Sequence, residues 1–314
     1  MAVTGSGTQA DPFIVHSYQE LKSICDNLTT KQRGVNYVNL ANDIDCNDYG
    51  DSFEWETLTL AKYNGVWSSR DYIDFDMCGH TIKNILVKAN NKLFEHTQNS
   101  IGDGVKIRNG KLLNIFNNGT ERLIHSSTWE CPICFDNVSM SINANGITDA
   151  VFYCIKMNKC AVYLDGTCAA NIIHTNTYST IISNSDFMFN GVITNKMPSG
   201  SSTFFVYNES SSSNPVLNNC RIRGNMIFKN NFVNYAPMSS CVVDIPMWMG
   251  YYGGYANPFS YPSTGVVNKD KVHDHNGYGE GFWNDGGMTK VTDAELHSAA
   301  SLNAKGFNVV KVGG

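Results

Sequence analysis

The chain has 314 residues, of which 42% are hydrophobic and 16% charged, and its formal net charge is −5. An acidic chain without a basic stripe argues against a nucleic-acid partner. No apolar run is long enough to span a bilayer, so we expect no membrane insertion.

A helix is predicted near the start of the chain. Ser17-Tyr-Gln-Glu20 forms a capping box, and Leu21, Ile24 and Cys25 follow it at helical spacing. We therefore expect an amphipathic helix over residues 18 to about 27. The first residues lack the charged and apolar regions of a secretion signal, so we expect no export by that route.

A short phrase recurs between about residues 78 and 232. Each copy has an apolar residue, a spacer, a turn residue that is usually Asn, and then alternating apolar side chains. The copies lie at 107–112, 135–142, 157–164, 182–189 and 217–222. Their turn residues are Asn109, Asn137, Lys159, Asn184 and Asn219, separated by 28, 22, 25 and 35 residues. Steps of this size are typical of stacked repeats.

Each phrase predicts a bend followed by a short strand. Asn accepts the left-handed backbone region at low steric cost, and alternation with a period of two turns one strand face inward. One such coil cannot bury its own inner face, but stacked coils can. The pattern favours an all-β parallel β-helix with Asn109, Asn137, Asn184 and Asn219 as its turn ladder. A β-sandwich with irregular hairpins is the alternative.

The end of the chain repeats the helix signal. Thr292-Asp-Ala-Glu295 is a second capping box, and Gly306 is placed to end the helix that follows. We expect one or both helices to cap the open ends of the solenoid; the alternative is that they are peripheral. The predicted division is an N-terminal segment over 1–35, a β-helix body over 36–245 and a closing segment over 246–314.

Aromatic residues concentrate between the last repeat and the second capping box. Exposed aromatic rings can stack on sugars or anchor a protein interface, whereas packing over the end of the solenoid is the alternative. The candidate binding residues are Trp248, Tyr251, Tyr252, Tyr255, Tyr261 and Trp283.

Metal-ligating residue types occur in two places, but neither predicts a site. His273, Asp274, His275, Glu280 and Asp285 lie in a glycine-rich loop, which an irregular link before the closing helix also explains. Cys131-Pro-Ile-Cys134 has the spacing of half a zinc knuckle, with no second pair. Cys160 and Cys220 fall within the repeats, where we expect them to be buried as free thiols. A chain that folds in a reducing cytoplasm can keep such thiols. We expect no metal and no cofactor.

Catalysis would require carboxylates on neighbouring coils that flank one bond. The nearest candidates are Asp136, Asp165 and Asp186, but they occupy different positions in their phrases and form no stacked pair. The sequence therefore favours a protein that is not an enzyme, with a glycan depolymerase as the alternative.

Both ends of the chain carry motifs of a known group. GSGTQADPFIV at 5–15, YVNLANDID at 37–45, IDFDMCGHTIKNI at 73–85 and GGMTKVTDAEL at 286–296 resemble right-handed parallel β-helix proteins of bacterial surfaces and phage virions. Met77 stands where that group usually has glycine, and Phe307 where Trp is commoner. The resemblance implies a right-handed parallel β-helix with short capping helices and an exposed setting.

The functional expectation is a structural bacteriophage virion protein: a tail-spike, fibre or capsid-decoration component assembled in the host cytoplasm. Its expected partners are other virion proteins and host cell-surface glycan. Homo-oligomerisation is expected, with a trimer favoured. A β-helical glycan depolymerase of a phage tail and a bacterial surface adhesin are the alternatives.

Overall fold

The computed structural model of the protein describes residues 3–28, 34–62, 71–96, 105–127, 132–168, 171–175, 180–193, 205–208, 216–225, 228–229, 237–249, 263–274 and 287–306. None of the helices within these ranges is long and apolar enough to cross a membrane.

Short strands make up most of the described chain. The first nine are β1 (Phe13–Val15), β2 (Gly34–Leu40), β3 (Ile44–Asp45), β4 (Leu58–Lys62), β5 (Asp71–Asp76), β6 (Thr81–Val87), β7 (Phe94–His96), β8 (Val105–Asn117) and β9 (Thr120–Ser126). Next come β10 (Ile133–Asn143), β11 (Ile147–Tyr153), β12 (Ile155–Asn158), β13 (Ala161–Cys168), β14 (Asn171–Thr175), β15 (Ile181–Ser183), β16 (Asp186–Ile193) and β17 (Val206–Asn208).

The remaining strands are β18 (Val216–Asn218), β19 (Arg221–Gly224), β20 (Phe228–Lys229), β21 (Met238–Ser239), β22 (Cys241–Asp244), β23 (Met247–Met249), β24 (Gly265–Asn268), β25 (Val272–Asp274) and β26 (Thr289–Val291). The helices are α1 (Tyr18–Asp26), α2 (Asp293–Leu296) and α3 (Ala299–Ala304), with 3-10 turns at Cys46–Tyr49 and Lys269–Lys271.

Parallel pairing stacks these strands into three sheets. The first sheet is β1, β2, β5, β8, β10, β12, β15, β18 and β21. The second is β3, β6, β8, β10, β13, β16, β19, β22, β24 and β26, because β8 and β10 bend and serve both sheets. The third is β4, β7, β9, β11, β14 and β17.

Three sheets that each gain one strand per turn of the chain define a parallel β-helix, as predicted. The pairing of the second sheet continues past residue 245 to β26, and β20, β23 and β25 form a further parallel set. We number the coils by the strand of the first sheet that begins them. Coil 1 begins at β2, coil 2 at β5, coil 3 at β8, coil 4 at β10, coil 5 at β12 and coil 6 at β15.

The core is a stack of inward columns, one residue per coil. In the first sheet every second residue is fully or almost fully buried, as a period of two requires. This inward column is Val38, Phe75, Ile107, Phe135, Met157, Ile182, Leu217 and Met238. Each coil therefore stabilises its neighbours by apolar burial that it could not achieve alone.

From coil 2 to the coil that begins at β21, the bend between the first and second sheets has a left-handed residue in each coil. Such a bend favours Asn, whose short polar side chain tolerates positive φ. The residues are Cys78 (φ 51°), Asn109 (56°), Asn137 (56°), Lys159 (53°), Asn184 (52°), Asn219 (52°) and Ser240 (54°). Cys78 and Gly79 (φ 85°) make the bend where Met77 replaces the glycine common in the resembling group.

Carboxamide hydrogen bonds join these bends from coil to coil. In coils 2 to 4, Asn137 Nδ2 donates to Asn109 Oδ1 at 3.2 Å, and Asn109 Nδ2 donates to both carboxylate oxygens of Asp76 at 3.2 Å. Because an Asn side chain has both N–H donors and an acceptor oxygen, it can form hydrogen bonds to the coils on both sides of its own.

The ladder shifts by one residue at coil 5, because Lys159 has no carboxamide. Asn219 donates to Asn184 at 2.8 Å, Asn184 donates to Asn158 at 2.9 Å, and Asn158 donates to Asp136 at 2.8 Å. The connection between coils thus survives the Lys at the turn.

A second ladder lies within the second sheet. Asn84 and Asn114 also have positive φ, at 57° and 54°. Asn114 Nδ2 donates to Asn84 Oδ1 at 2.9 Å, and Asn84 Nδ2 donates to Asp45 Oδ1 at 2.8 Å.

Helix α1 covers the N-terminal end of the core, as expected. Ser17 is its N-cap and accepts a hydrogen bond from the Glu20 amide at 3.2 Å. Leu21 is fully buried in the main hydrophobic cluster, and the Tyr18 ring lies 4.5 Å from that of Trp55. This helix therefore closes the first coils.

The C-terminal helix is split and lies elsewhere. The capping box of Thr292 and Glu295 forms as predicted, but the chain breaks after four residues into α2 and α3. Leu302 packs against Val266 and Val291 in a separate cluster. Because the adjacent Val267 faces the core, Val266 points to the outer side of the second sheet. In the described residues, α3 therefore covers a flank of the solenoid rather than its end.

Candidate functional site

A groove with a volume of about 600 Å³ runs over the outer face of the first sheet. Its floor is formed by strands of coils 1 to 6, so backbone pairing fixes its shape. It is lined by Gln9, Tyr37, Asp74, Lys106, Arg108, Cys134, Phe135, Asp136, Lys156, Met157, Asn158, Ile181 and Ser183.

Strand register arranges the outward side chains of the groove in two columns. The first column, from coil 1 to coil 6, is Tyr37, Asp74, Lys106, Cys134, Lys156 and Ile181. The second column is Asn39, Asp76, Arg108, Asp136, Asn158 and Ser183. Neighbouring members of a column are one strand spacing apart, about 4.8 Å.

Charges at the coil 1 end of the groove compensate one another. Arg108 Nε donates to Asp74 Oδ1 at 2.8 Å, and Arg108 Nη1 lies 3.2 Å from Asp76 Oδ2. Asp76 also receives the two bonds from Asn109. This cluster joins coils 2 and 3 and leaves little free charge.

The middle of the groove is different. Lys106 is exposed and Lys156 half-buried, and neither has a hydrogen bond or ion pair within the described residues. Asp136 lies between their coils, is exposed, and accepts a hydrogen bond from Asn158 at 2.8 Å. Two ammonium groups without a partner among the described residues, and one exposed carboxylate, thus line the groove.

Apolar surface lies near both ends of the same column. Tyr37 is half-buried at the coil 1 end. Ile181, at the coil 6 end, is 44% exposed. The groove therefore offers an aromatic ring, charged and amide groups, and an aliphatic side chain in sequence along the solenoid axis.

A second polar column runs along the third sheet, but it is mostly buried. It comprises Glu95, His125, Tyr153, His174 and Tyr207 in register. The rings from His125 to Tyr207 contact one another in tilted and edge-on arrangements, at centroid distances of 5.2, 4.8 and 5.0 Å. Tyr153 and His174 are 7% and 5% exposed, so the column stabilises neighbouring coils rather than facing a ligand.

Two carboxylates are held in their charged form by this column. Hydrogen bonds from His125 and Lys92 lower the pKa of Glu95 to about 2, against the opposing effect of burial. Burial also opposes ionisation of Asp149, but hydrogen bonds from His174 and Arg122 outweigh it, and the pKa of Asp149 is lowered. Both groups contribute to stability at neutral pH.

The predicted aromatic binding residues mostly fall outside the described part of the chain. Tyr251, Tyr252, Tyr255, Tyr261 and Trp283 lie outside it. The backbone of Trp248 lies in β23, where Trp248 pairs with Lys229 and His273. The groove is built from other residues.

Of the residues considered as metal ligands, Cys131, His275, Glu280 and Asp285 lie outside the described residues, whereas His273 and Asp274 have their backbone in β25. Cys134 lies in the groove. Among the residues that the structure describes, no three His, Cys, Asp or Glu side chains are grouped to hold a metal ion.

The three aspartates weighed as catalytic groups lie on two different sheets. Asp136 lies in the groove of the first sheet, whereas Asp165 and Asp186 belong to strands of the second. Asp186 is paired with Arg223 at 2.9 Å. Along the described part of its column, Asp136 has Arg108 and Asn158 as immediate neighbours, so no second carboxylate lies one coil away.

Fold and groove together define a parallel β-helix protein with a polar cleft along one side. No known family profile matches the chain, and no curated protein matches it. Among solved structures, it is similar to a protein described as a putative immunoglobulin A1 protease from Bacteroides ovatus, with 12% sequence identity and a TM-score of 0.47. The match covers 96% of this chain and 89% of that one. A likeness this distant carries no argument about function.

Proposed function

We propose that this chain is the rigid body of a virion attachment protein that binds an extended glycan along the groove of the first sheet and does not cleave it. The observation that carries the proposal is the groove itself, which crosses six coils and is lined by paired columns of polar side chains. Solenoids present extended binding surfaces of this kind, and a floor that repeats from coil to coil suits a ligand that is itself a repeating polymer.

The geometry of the groove suits a polymer of sugars. One strand spacing is about 4.8 Å, and one sugar residue in an extended chain is of similar length. Successive sugars would therefore meet equivalent positions on successive coils. Tyr37 offers a ring face for stacking, while Asn158 and Ser183 offer hydrogen bonds to hydroxyl groups.

The carboxylates of the groove favour binding over cleavage. Asp76 and Asp136 share a column but are two coils apart, with Arg108 between them. Asp74, which lines the groove, is paired with Arg108. Asp76 is held by Arg108 and Asn109, so neither carboxylate is free to act as an acid or base. A glycosidase requires two available carboxyl groups on either side of one bond.

The depolymerase alternative rests on one observation, the exposed carboxylate of Asp136 inside the groove. A single carboxylate can assist proton transfer, but a hydrolytic pair would still be missing among the described residues. The virion setting, with a trimer as the favoured assembly and other virion proteins as partners, rests on the sequence resemblance and is part of the proposal.

The proposal is tested with purified full-length chain and glycan-coated host bacteria. Cell binding is measured together with the chain length of the released and bound polysaccharide. We expect binding with unchanged polymer length, and the protein should be found by mass spectrometry in dissected virions. Shortening of the polymer that disappears in Asp136→Asn would establish the depolymerase instead, and absence of binding would reject the groove as a glycan site.

A further inference from the structure

We infer that the groove selects a glycan in which every second sugar residue carries an acidic group, and that Lys106 and Lys156 bind two such groups. This inference rests on the proposed glycan-binding function and names the class of glycan.

The first observation is the contrast between paired and unpaired cations in the groove. Arg108 is neutralised by Asp74 and Asp76. Lys106 and Lys156 line the same groove and have no ionic partner in the described part of the chain. An ammonium group in a cleft without a partner is a site for an anionic ligand group.

The second observation is the spacing of the two lysines. Lys106 pairs in register with Cys134, and Cys134 pairs with Lys156. Their backbones are therefore two strand spacings apart, about 10 Å. An extended glycan with one sugar per coil would place its first and third sugars over the lysines and its second sugar over coil 4.

The third observation is what coil 4 presents to that second sugar. Asp136 is exposed there. It accepts one hydrogen bond, from Asn158, and can accept others. A second acidic sugar at this level would be repelled by the carboxylate, whereas the hydroxyl groups of an uncharged sugar would donate to it. The order of charges along the groove is thus positive, negative, positive, which matches an alternating acidic and neutral polymer.

The test compares hexasaccharides of hyaluronan and unsulfated chondroitin, in which carboxylates alternate, with those of polygalacturonate and of chitin. Polygalacturonate carries a carboxylate on every sugar and chitin on none. Affinities for full-length wild type, Lys106→Gln and Lys156→Gln are measured by calorimetry. Lys111→Gln is the matched control, because Lys111 is an exposed residue of the same strand β8 but lies on the second sheet.

We expect an alternating hexasaccharide to bind tighter than the other two. Each groove variant should weaken binding of the alternating hexasaccharide about tenfold, the lower end of what the loss of one hydrogen bond to a charged group implies. Lys111→Gln should bind like wild type, and added salt should weaken binding by wild type more than binding by Lys106→Gln or Lys156→Gln. Asp136→Asn should reduce the difference in affinity between the alternating hexasaccharide and polygalacturonate.

Equal or tighter binding of polygalacturonate, or unchanged affinity in both groove variants, would overturn the inference. Binding of chitin or another neutral glycan with an affinity that Lys106→Gln and Lys156→Gln do not change would leave the proposed function intact. It would reject only the alternating acidic ligand. Binding of none of these glycans, nor of host polysaccharide, would reject the proposed function too. Tighter binding of a single-stranded oligonucleotide of equal charge would show that the lysines bind nucleic acid rather than a glycan, and it would overturn the inference.

Discussion

Asn184 donates its side-chain amide to Asn158 Oδ1 at 2.9 Å, across one coil step. Asn158 is the residue before the turn, so this bond carries the ladder past Lys159, which has no carboxamide to offer. The turn residues therefore contribute to stability in two separate ways, through their backbone conformation and through their side-chain hydrogen bonds, and each contribution can be measured.

Asn184 separates the two contributions. Asn184→Ala removes the bonds to Asn158 and Asn219 and also replaces Asn, which tolerates φ 52°, by a residue that rarely adopts this conformation. We expect it to lower the free energy of unfolding by about 2–3 kcal/mol. Asn184→Gly keeps the conformation accessible and should cost less than Asn184→Ala. Chemical denaturation of both variants checks this order, and a glycine variant as unstable as the alanine variant would show that conformation contributes little.

Lys159 offers the reverse experiment. It is exposed and has φ 53°, a conformation that costs Lys more than Asn. Lys159→Asn should stabilise the protein by about 1 kcal/mol and raise its melting temperature. Lys111→Asn, in a strand, should give no gain. A lower melting temperature for Lys159→Asn would mean that the Lys side chain makes a net favourable contribution.

The lowered pKa of Glu95 predicts that the protein loses stability in acid. Its pKa is lowered to about 2 in the folded protein, whereas an unfolded Glu has a pKa of about 4.3. The contribution is therefore complete above about pH 4.3 and is lost as the pH falls towards 2.

Glu95→Gln should accordingly lower the free energy of unfolding at pH 7 by about 1–3 kcal/mol, with the difference from wild type vanishing near pH 2. Glu121→Gln is the control, because Glu121 lies in the third sheet and is 69% exposed. Urea unfolding at several pH values provides the measurement. A difference between wild type and Glu95→Gln that stays constant down to pH 2 would contradict the assignment.

Helix α1 should be required for stability because it closes the core. Leu21 is fully buried in the main cluster, and Leu21→Ala should cost about 2–5 kcal/mol by loss of burial and creation of a cavity. Lys22→Ala, which loses half-exposed ion pairs with Asp26 at 2.9 Å and Glu56 at 3.8 Å, should cost less than about 1 kcal/mol. Similar losses for both variants in thermal unfolding would show that the helix is peripheral.

The repeat could be predicted from sequence because its signal is local. A turn residue, Asn at 109, 137, 184 and 219, followed by alternating apolar residues marks the bend and the inward column of these coils, whatever the length of the intervening loops. The N-cap of Ser17 and the capping box of Thr292 are equally local, although at the first helix the Glu20 carboxylate accepts from the His16 amide instead of completing the predicted box. The break after α2 was missed, since His297 and Ser298 follow a pattern that suits an unbroken helix.

The groove could not be predicted in this way, because it depends on register between distant strands. Lys106 and Lys156 are 50 positions apart in sequence, and only the pairing through Cys134 places them in one column. Unequal loops hide such alignments. The ladder of Asn84 and Asn114 was missed for the same reason, although asparagines spaced by about one coil were a usable signal.

The central claim is that the groove of the first sheet holds an extended glycan. It is tested most directly by a glycan array probed with wild type, Ser183→Trp and Ser139→Trp. Ser183 lines the groove, whereas the similarly half-buried Ser139 lies on the second sheet. We predict that wild type and Ser139→Trp retain the same polysaccharides and that Ser183→Trp loses them. Retention of the same glycans by Ser183→Trp would contradict the claim.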